Sequence, residues 1–136
     1  MTPILNTVFP EFKLNAYHNG EFKVITNEDL KGKWSLVVFY PGDFTFVCPT
    51  ELHAFQEAAA EFEKRNTQVV ACSVDSAFSH WKWLQTPAKE GGIQGVKYPM
   101  VADQSHIISE SYDVMAGEIE YTEEGDMRFV GVPQSY

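Results

Sequence analysis

Cys48 is the residue best placed to do chemistry. It lies in Pro41-Gly42-Asp43-Phe44-Thr45-Phe46-Val47-Cys48-Pro49-Thr50-Glu51, between an apolar run and a segment with helical spacing. A thiol at a helix start meets unpaired backbone N–H groups and the positive end of the helix dipole. Both favour the thiolate, which is the nucleophilic form. Thr45 can give or accept a hydrogen bond at the sulfur or at a substrate oxygen. Pro41 and Pro49 fix φ on either side, while Phe44, Phe46 and Val47 can keep bulk water away. Preorganised donors in a dry pocket suit displacement on an O–O bond. The second cysteine, Cys72, sits inside the apolar run Val69 to Val74 and is expected to be a core thiol. The absence of any further cysteine leaves pairing with Cys48 as the lesser alternative.

The elements that must position Cys48 follow from hydrophobic pattern. Trp34 to Tyr40 is β-branched and aromatic with no polar alternation at its centre, the mark of a strand covered on both faces. Pro41-Gly42-Asp43 ends it. Pro49 suits a first helical position, and Leu52, Phe55, Ala59 and Phe62 then recur along one face. Val69 to Val74 is a second doubly buried strand, so the segment reads as a right-handed βαβ unit. Ser76 to Leu84 reads as a helix and Tyr98 to Val101 as a short strand, with Asp103 capping a helix that reaches Tyr112. Glu118 to Val130 reads as a hairpin, and Phe22 to Thr26 as part of a small antiparallel addition. The class is α/β: three layers, with helices on both faces of a mixed sheet. In such sheets sites form beyond the carboxyl ends of the strands, which is where Cys48 falls.

Composition narrows the chemistry. The 136 residues suffice for one domain with a real core, and 44% apolar residues with 10 Phe exclude disorder for most of the chain. A formal charge of −9 disfavours contact with phosphate backbones, so no nucleic-acid partner is expected. The longest apolar stretch, Leu36 to Tyr40, is far short of a membrane span, and the N-terminus lacks the pattern of a signal peptide. A cytoplasmic location is the expectation. Two cysteines without a CxxC pair fit neither a secreted disulfide scaffold nor a structural zinc site. The missing CxxC also places a thioredoxin-type disulfide reductase last. No histidine stands in a context that suggests a Cys–His protease.

Three motifs in chain order carry a family resemblance. PGDFTFVCPTE resembles the active-site signature of the typical two-cysteine peroxiredoxins, the branch that includes the peroxidase subunit of bacterial alkyl hydroperoxide reductase. The segments Val74 to Trp83 and Lys97 to Asp103 are similar to two further family motifs, and the resemblance runs from about Phe9 onward. It implies a thioredoxin-like fold with an N-terminal extension. It implies that Cys48 is the peroxidatic cysteine, becoming a sulfenic acid. Thr45 would hydrogen-bond thiolate and peroxide, Pro41 would shield the sulfur, and Glu51 would orient a catalytic arginine. No metal or organic cofactor is needed. The implied partners are a small peroxide and a reducing protein, thioredoxin-like or a flavoprotein disulfide reductase. The implied assembly is a homodimer or a ring of dimers.

The family's arginine and its late resolving cysteine find no counterpart, since Arg128 does not stand in a matching context. Residues 1–136 are accordingly read as a single domain without the last core strands, the closing helix and the resolving-cysteine tail. Turnover by this form is expected to be poor. The alternative is an inactive fragment that binds subunits or unfolded clients through an exposed sheet edge. Several residues carry plain expectations: His80, Trp81 and Trp83 pack their helix, and His18, His53 and His106 show no metal-ligand pattern. Gly91 to Gly95 is a flexible turn and not a phosphate cradle, because no Lys-Ser/Thr follows.

Overall fold

The computed structural model describes residues 5–44, 48–121, 123 and 127–133. Strands β1 (Lys13–His18) and β2 (Glu21–Thr26) pair antiparallel around Asn19 and Gly20, whose φ values are 52° and 78°. A two-residue hairpin turn with positive φ at both positions is what an Asn-Gly pair supplies at least cost. The expected small antiparallel addition is therefore present.

Next come β3 (Trp34–Phe39), α1 (Cys48–Glu57), α2 (Ala59–Lys64) and β4 (Thr67–Ser73). β3 and β4 run parallel, from Trp34 opposite Thr67 to Phe39 opposite Cys72. The single helix expected between them is divided at Ala58, with ψ at 0°. The chain keeps a helical path there, since Ala58 N–H donates to the Ala54 carbonyl and the Ala58 carbonyl accepts from Phe62 N–H, both at 3.2 Å. α3 (Ala77–Gln85) starts at Ser76, whose hydroxyl caps the Ser79 N–H at 3.1 Å. β5 (Met100–Ala102), α4 (Ile107–Ser111) and the hairpin of β6 (Met115–Tyr121) with β7 (Met127–Pro133) complete the order. Asp103 does cap α4, although it stands outside the helix: its buried carboxylate accepts from Ile108 and Ser109 N–H at 3.2 and 2.8 Å.

The main sheet has the order β2-β1-β5-β4-β3, with β3, β4 and β5 parallel and the β1–β2 hairpin antiparallel beside them. Strand alternation sends Val38, Val69, Ala71 and Met100 to one face, where they meet Leu52, Trp83 and Ile93. Phe39, Val70, Cys72 and Val101 point to the other, against Phe12, Ile25 and Ile108. The α/β class and its three layers are as the pattern predicts. Cys72 is a buried free thiol on the face opposite Leu52 of α1, which settles it as core. Among the described residues no helix is long and apolar enough to cross a membrane.

Burial has a consequence for alkaline stability. It pushes the Cys72 thiol and the Tyr98 phenol well up, the Asp103 charge adding to the effect at Cys72. Both stay protonated in the folded chain while the unfolded chain releases those protons above its ordinary values of 9.0 and 10.0. The unfolded state then binds fewer protons, so stability is full below pH 9 and falls as pH rises beyond it. The expected slope is about 1.4 kcal/mol per pH unit for each group once its unfolded value is passed. Urea midpoints taken at pH 8 and pH 10.5 check this; equal midpoints would contradict it.

Candidate active site

Cys48 opens α1, as the position of Pro49 predicts. Pro49 and Leu52 are buried, and Glu51 is exposed in the first turn. Thr45 lies outside the described residues. Pro41 is half-buried at a bend beyond β3, so the described part of the motif runs from the carboxyl end of that strand toward the helix. α1 is fixed along its length by groups from the opposite loop. The Tyr98 hydroxyl donates to the Leu52 carbonyl at 2.6 Å, Lys97 N–H donates to Gln56 Oε1 at 2.8 Å, and His53 Nε2 lies 3.1 Å from the Gly92 carbonyl.

Within the Gly91 to Gly95 turn, Gly91, Gln94 and Gly95 are exposed, while Gly92 and Ile93 are packed inside. Gly92 is buried, and a Cβ there would lie 1.9 Å from the Thr86 carbonyl oxygen, so only glycine fits. Ile93 is fully buried beside it.

The larger departure from expectation is at His80. Packing was expected, but the imidazole also makes polar contacts on both sides while wholly buried. Its Nδ1 lies 2.7 Å from Asp43 Oδ2, and its Nε2 lies 3.0 Å from the Val101 carbonyl oxygen. Tyr40 donates its hydroxyl to Asp43 Oδ1 at 2.6 Å. The Asp43 N–H donates to Asp75 Oδ2 at 2.8 Å, and the same carboxylate oxygen accepts from the Ser73 hydroxyl at 2.7 Å. Burial first, and then the Asp43 charge, push the Tyr40 phenol well up, so it remains a donor. This network joins Tyr40 just past β3, the loop before Cys48, the end of β4, α3 and β5. Sequence reasoning missed it; the one available signal was that both Asp43 and His80 stand inside the quoted motifs.

Next to this network Phe44 adopts φ of 58°, the left-handed region that a bulky side chain seldom enters. Its ring is exposed on one side and lies 6.0 Å from that of Trp83. Trp83 itself is fully buried, also touches Tyr40, and donates its indole N–H to the Gly91 carbonyl at 2.9 Å. A concavity of about 430 Å³ is lined by His18, Lys33, Gln56 and Gln68. It lies toward the amino ends of β3 and β4, away from the strand end that leads to Cys48.

The AhpC/TSA family model matches residues 5–133, nearly the whole chain. The chain belongs to the AhpC/TSA family. Peroxiredoxin-4 of Dictyostelium discoideum is 49% identical over 118 residues, which cover 87% of this chain and 46% of that relative. Peroxiredoxin tpx1 of Schizosaccharomyces pombe is 52% identical over 106 residues, 78% of this chain and 55% of the relative. The chain thus spans about half the length of these curated relatives. In three dimensions it is similar to the reduced 2-Cys peroxiredoxin of Plasmodium vivax, with a TM-score of 0.75 and 32% identity. That likeness covers 90% of this chain and 81% of the other. The AhpC/TSA chain therefore has the thioredoxin-like peroxiredoxin fold that its motifs imply.

Proposed function

We propose that this AhpC/TSA chain carries the peroxide-reacting part of a thiol-dependent peroxidase, with Cys48 as the attacking sulfur. The observation that carries the reading is the family match across residues 5–133, joined to the start of α1 at Cys48 itself. The Cys48 thiolate attacks the terminal oxygen of hydrogen peroxide or a small alkyl hydroperoxide. An S–O bond forms, the O–O bond breaks, and the departing hydroxide or alkoxide takes up a proton and leaves as water or alcohol. Sulfur is oxidised to the sulfenic acid as the peroxide is reduced. Two thiols from a reducing protein then return it to the thiol, becoming a disulfide and releasing water. Thr45 and Pro41 are proposed to orient and shield the sulfur. Glu51, exposed in the first turn, is proposed to meet a cation. Action in the cytoplasm and assembly as a homodimer or ring belong to the same reading. The test is hydrogen peroxide consumption by the reduced chain, wild type against Cys48→Ser: loss in the variant supports the reading, and equal rates contradict it.

A second reading, a subunit- or client-binding module, is favoured by the sheet edge. Among the described residues β3 pairs only with β4, and Trp34 at its start is 76% exposed. An open apolar edge invites another strand. The readings separate on one sample. Rapid peroxide consumption supports the first. An unreactive chain that cosediments with a full-length relative supports the second.

A further inference from the structure

We propose that Asp43 and His80 form a buried clamp that sets how the chain enters α1, and so act as positioning residues for Cys48. This rests on the reading of Cys48 as the reactive sulfur.

The contacts define the clamp by their proton count. His80 Nε2 faces a carbonyl oxygen and must carry a hydrogen to bond it. Nδ1 faces a carboxylate oxygen at 2.7 Å, so a second proton lies between those two atoms. Both side chains are almost wholly out of water. Such a pair gains little net stability, because desolvation offsets the attraction, so its main physical effect here is to fix position. What it fixes is evident from the neighbours. Asp43 is held by three groups at once: Tyr40 and His80 at its carboxylate and Asp75 at its N–H. The next residue, Phe44, is in the left-handed region, and a conformation of that cost persists only where the surroundings over-determine it. On the far side of Cys48, Leu52 and Gln56 are pinned by Tyr98 and Lys97. Cys48 therefore lies between two anchored points, and the clamp is the anchor on its upstream side.

The test measures Cys48 alkylation by iodoacetamide across pH in the 136-residue chain, mapped by mass spectrometry. The wild-type midpoint is expected below the ordinary thiol range. Asp43→Ala frees the loop, and the midpoint should rise, with the rate at pH 7 falling about tenfold. Asp43→Asn keeps the geometry without the charge: its amide donates to Nδ1 of a neutral His80 and its oxygen still accepts from Tyr40. That variant should stay within about twofold of wild type. A role in stability alone would lower the melting temperature of Asp43→Ala and leave the midpoint where it was, which overturns the proposal. Asp43→Asn behaving like Asp43→Ala also overturns it, since charge and not placement would then matter. Where Asp43→Ala does not fold, Tyr40→Phe removes one donor and keeps the ring; a smaller upward shift supports the clamp and no shift overturns it. Peroxide is absent from this readout. A wild-type Cys48 that titrates low yet consumes no peroxide contradicts the peroxidase reading alone, and one that titrates in the ordinary range contradicts both.

Discussion

Cys48→Ser is expected to slow hydrogen peroxide consumption by roughly a thousandfold or more while the fold persists. The reaction needs a group that is anionic near neutral pH and that can give up two electrons to oxygen. Serine meets neither need, since its hydroxyl does not ionise in that range and its oxygen is not oxidised. Cys72 cannot stand in. It is buried on the face of the sheet opposite α1, and burial with the Asp103 charge pushes its thiol up, so the nucleophilic form is suppressed. Cys72→Ala should therefore leave consumption within about twofold of wild type, at a modest cost in stability from lost packing. The informative comparison is the second-order rate constant of the reduced chains with hydrogen peroxide, supported by far-ultraviolet circular dichroism to show that the variants fold. Loss of reactivity in the Cys72 variant and its survival in the Cys48 variant would reverse the assignment.

The second large effect concerns stability. Trp83→Ala should cost about 3–5 kcal/mol, the usual range for truncating a buried large aromatic. Trp83 is fully buried among Val38, Leu52 and Met100, and its indole N–H satisfies the Gly91 carbonyl. Removing it opens a cavity on the helical face of the sheet and leaves that carbonyl without its donor. Domains of this size hold about 5–15 kcal/mol in all, so roughly a fifth or more of the total is at stake. The loss reaches the site as well, because Tyr40 and Phe44 both rest on this ring. Thermal and urea melts of Trp83→Ala against Trp83→Phe measure the effect. The phenylalanine variant keeps most of the volume and should lose clearly less; equal and small losses would show that the site collapses around the gap.

The fold was legible wherever one physical signal dominated. β3 and β4 showed as apolar runs because parallel strands are covered on both faces, and the helix from Ser76 onward showed by its apolar spacing. Cys48 at the start of α1 was legible because a proline follows it at a position where helices tolerate one. Three features were not. Periodicity is blind to the division of the long helix at Ala58, since both halves keep the same apolar face. The packed state of Gly92 depends on Thr86, which only the tertiary fold brings within reach. The Asp43–His80 contact joins residues 37 apart, and neither has a pattern of its own that announces a partner. Polar networks of this kind are set by topology, so local sequence shows their members and hides their pairing.

The most direct measurement treats the reduced chain with one equivalent of hydrogen peroxide in the presence of a sulfenic-acid trapping reagent, then locates the adduct by peptide mass. The account predicts an adduct at Cys48 within seconds and Cys72 unmodified. An adduct at Cys72 with Cys48 untouched, or no adduct on a folded chain that still consumes peroxide, would contradict it.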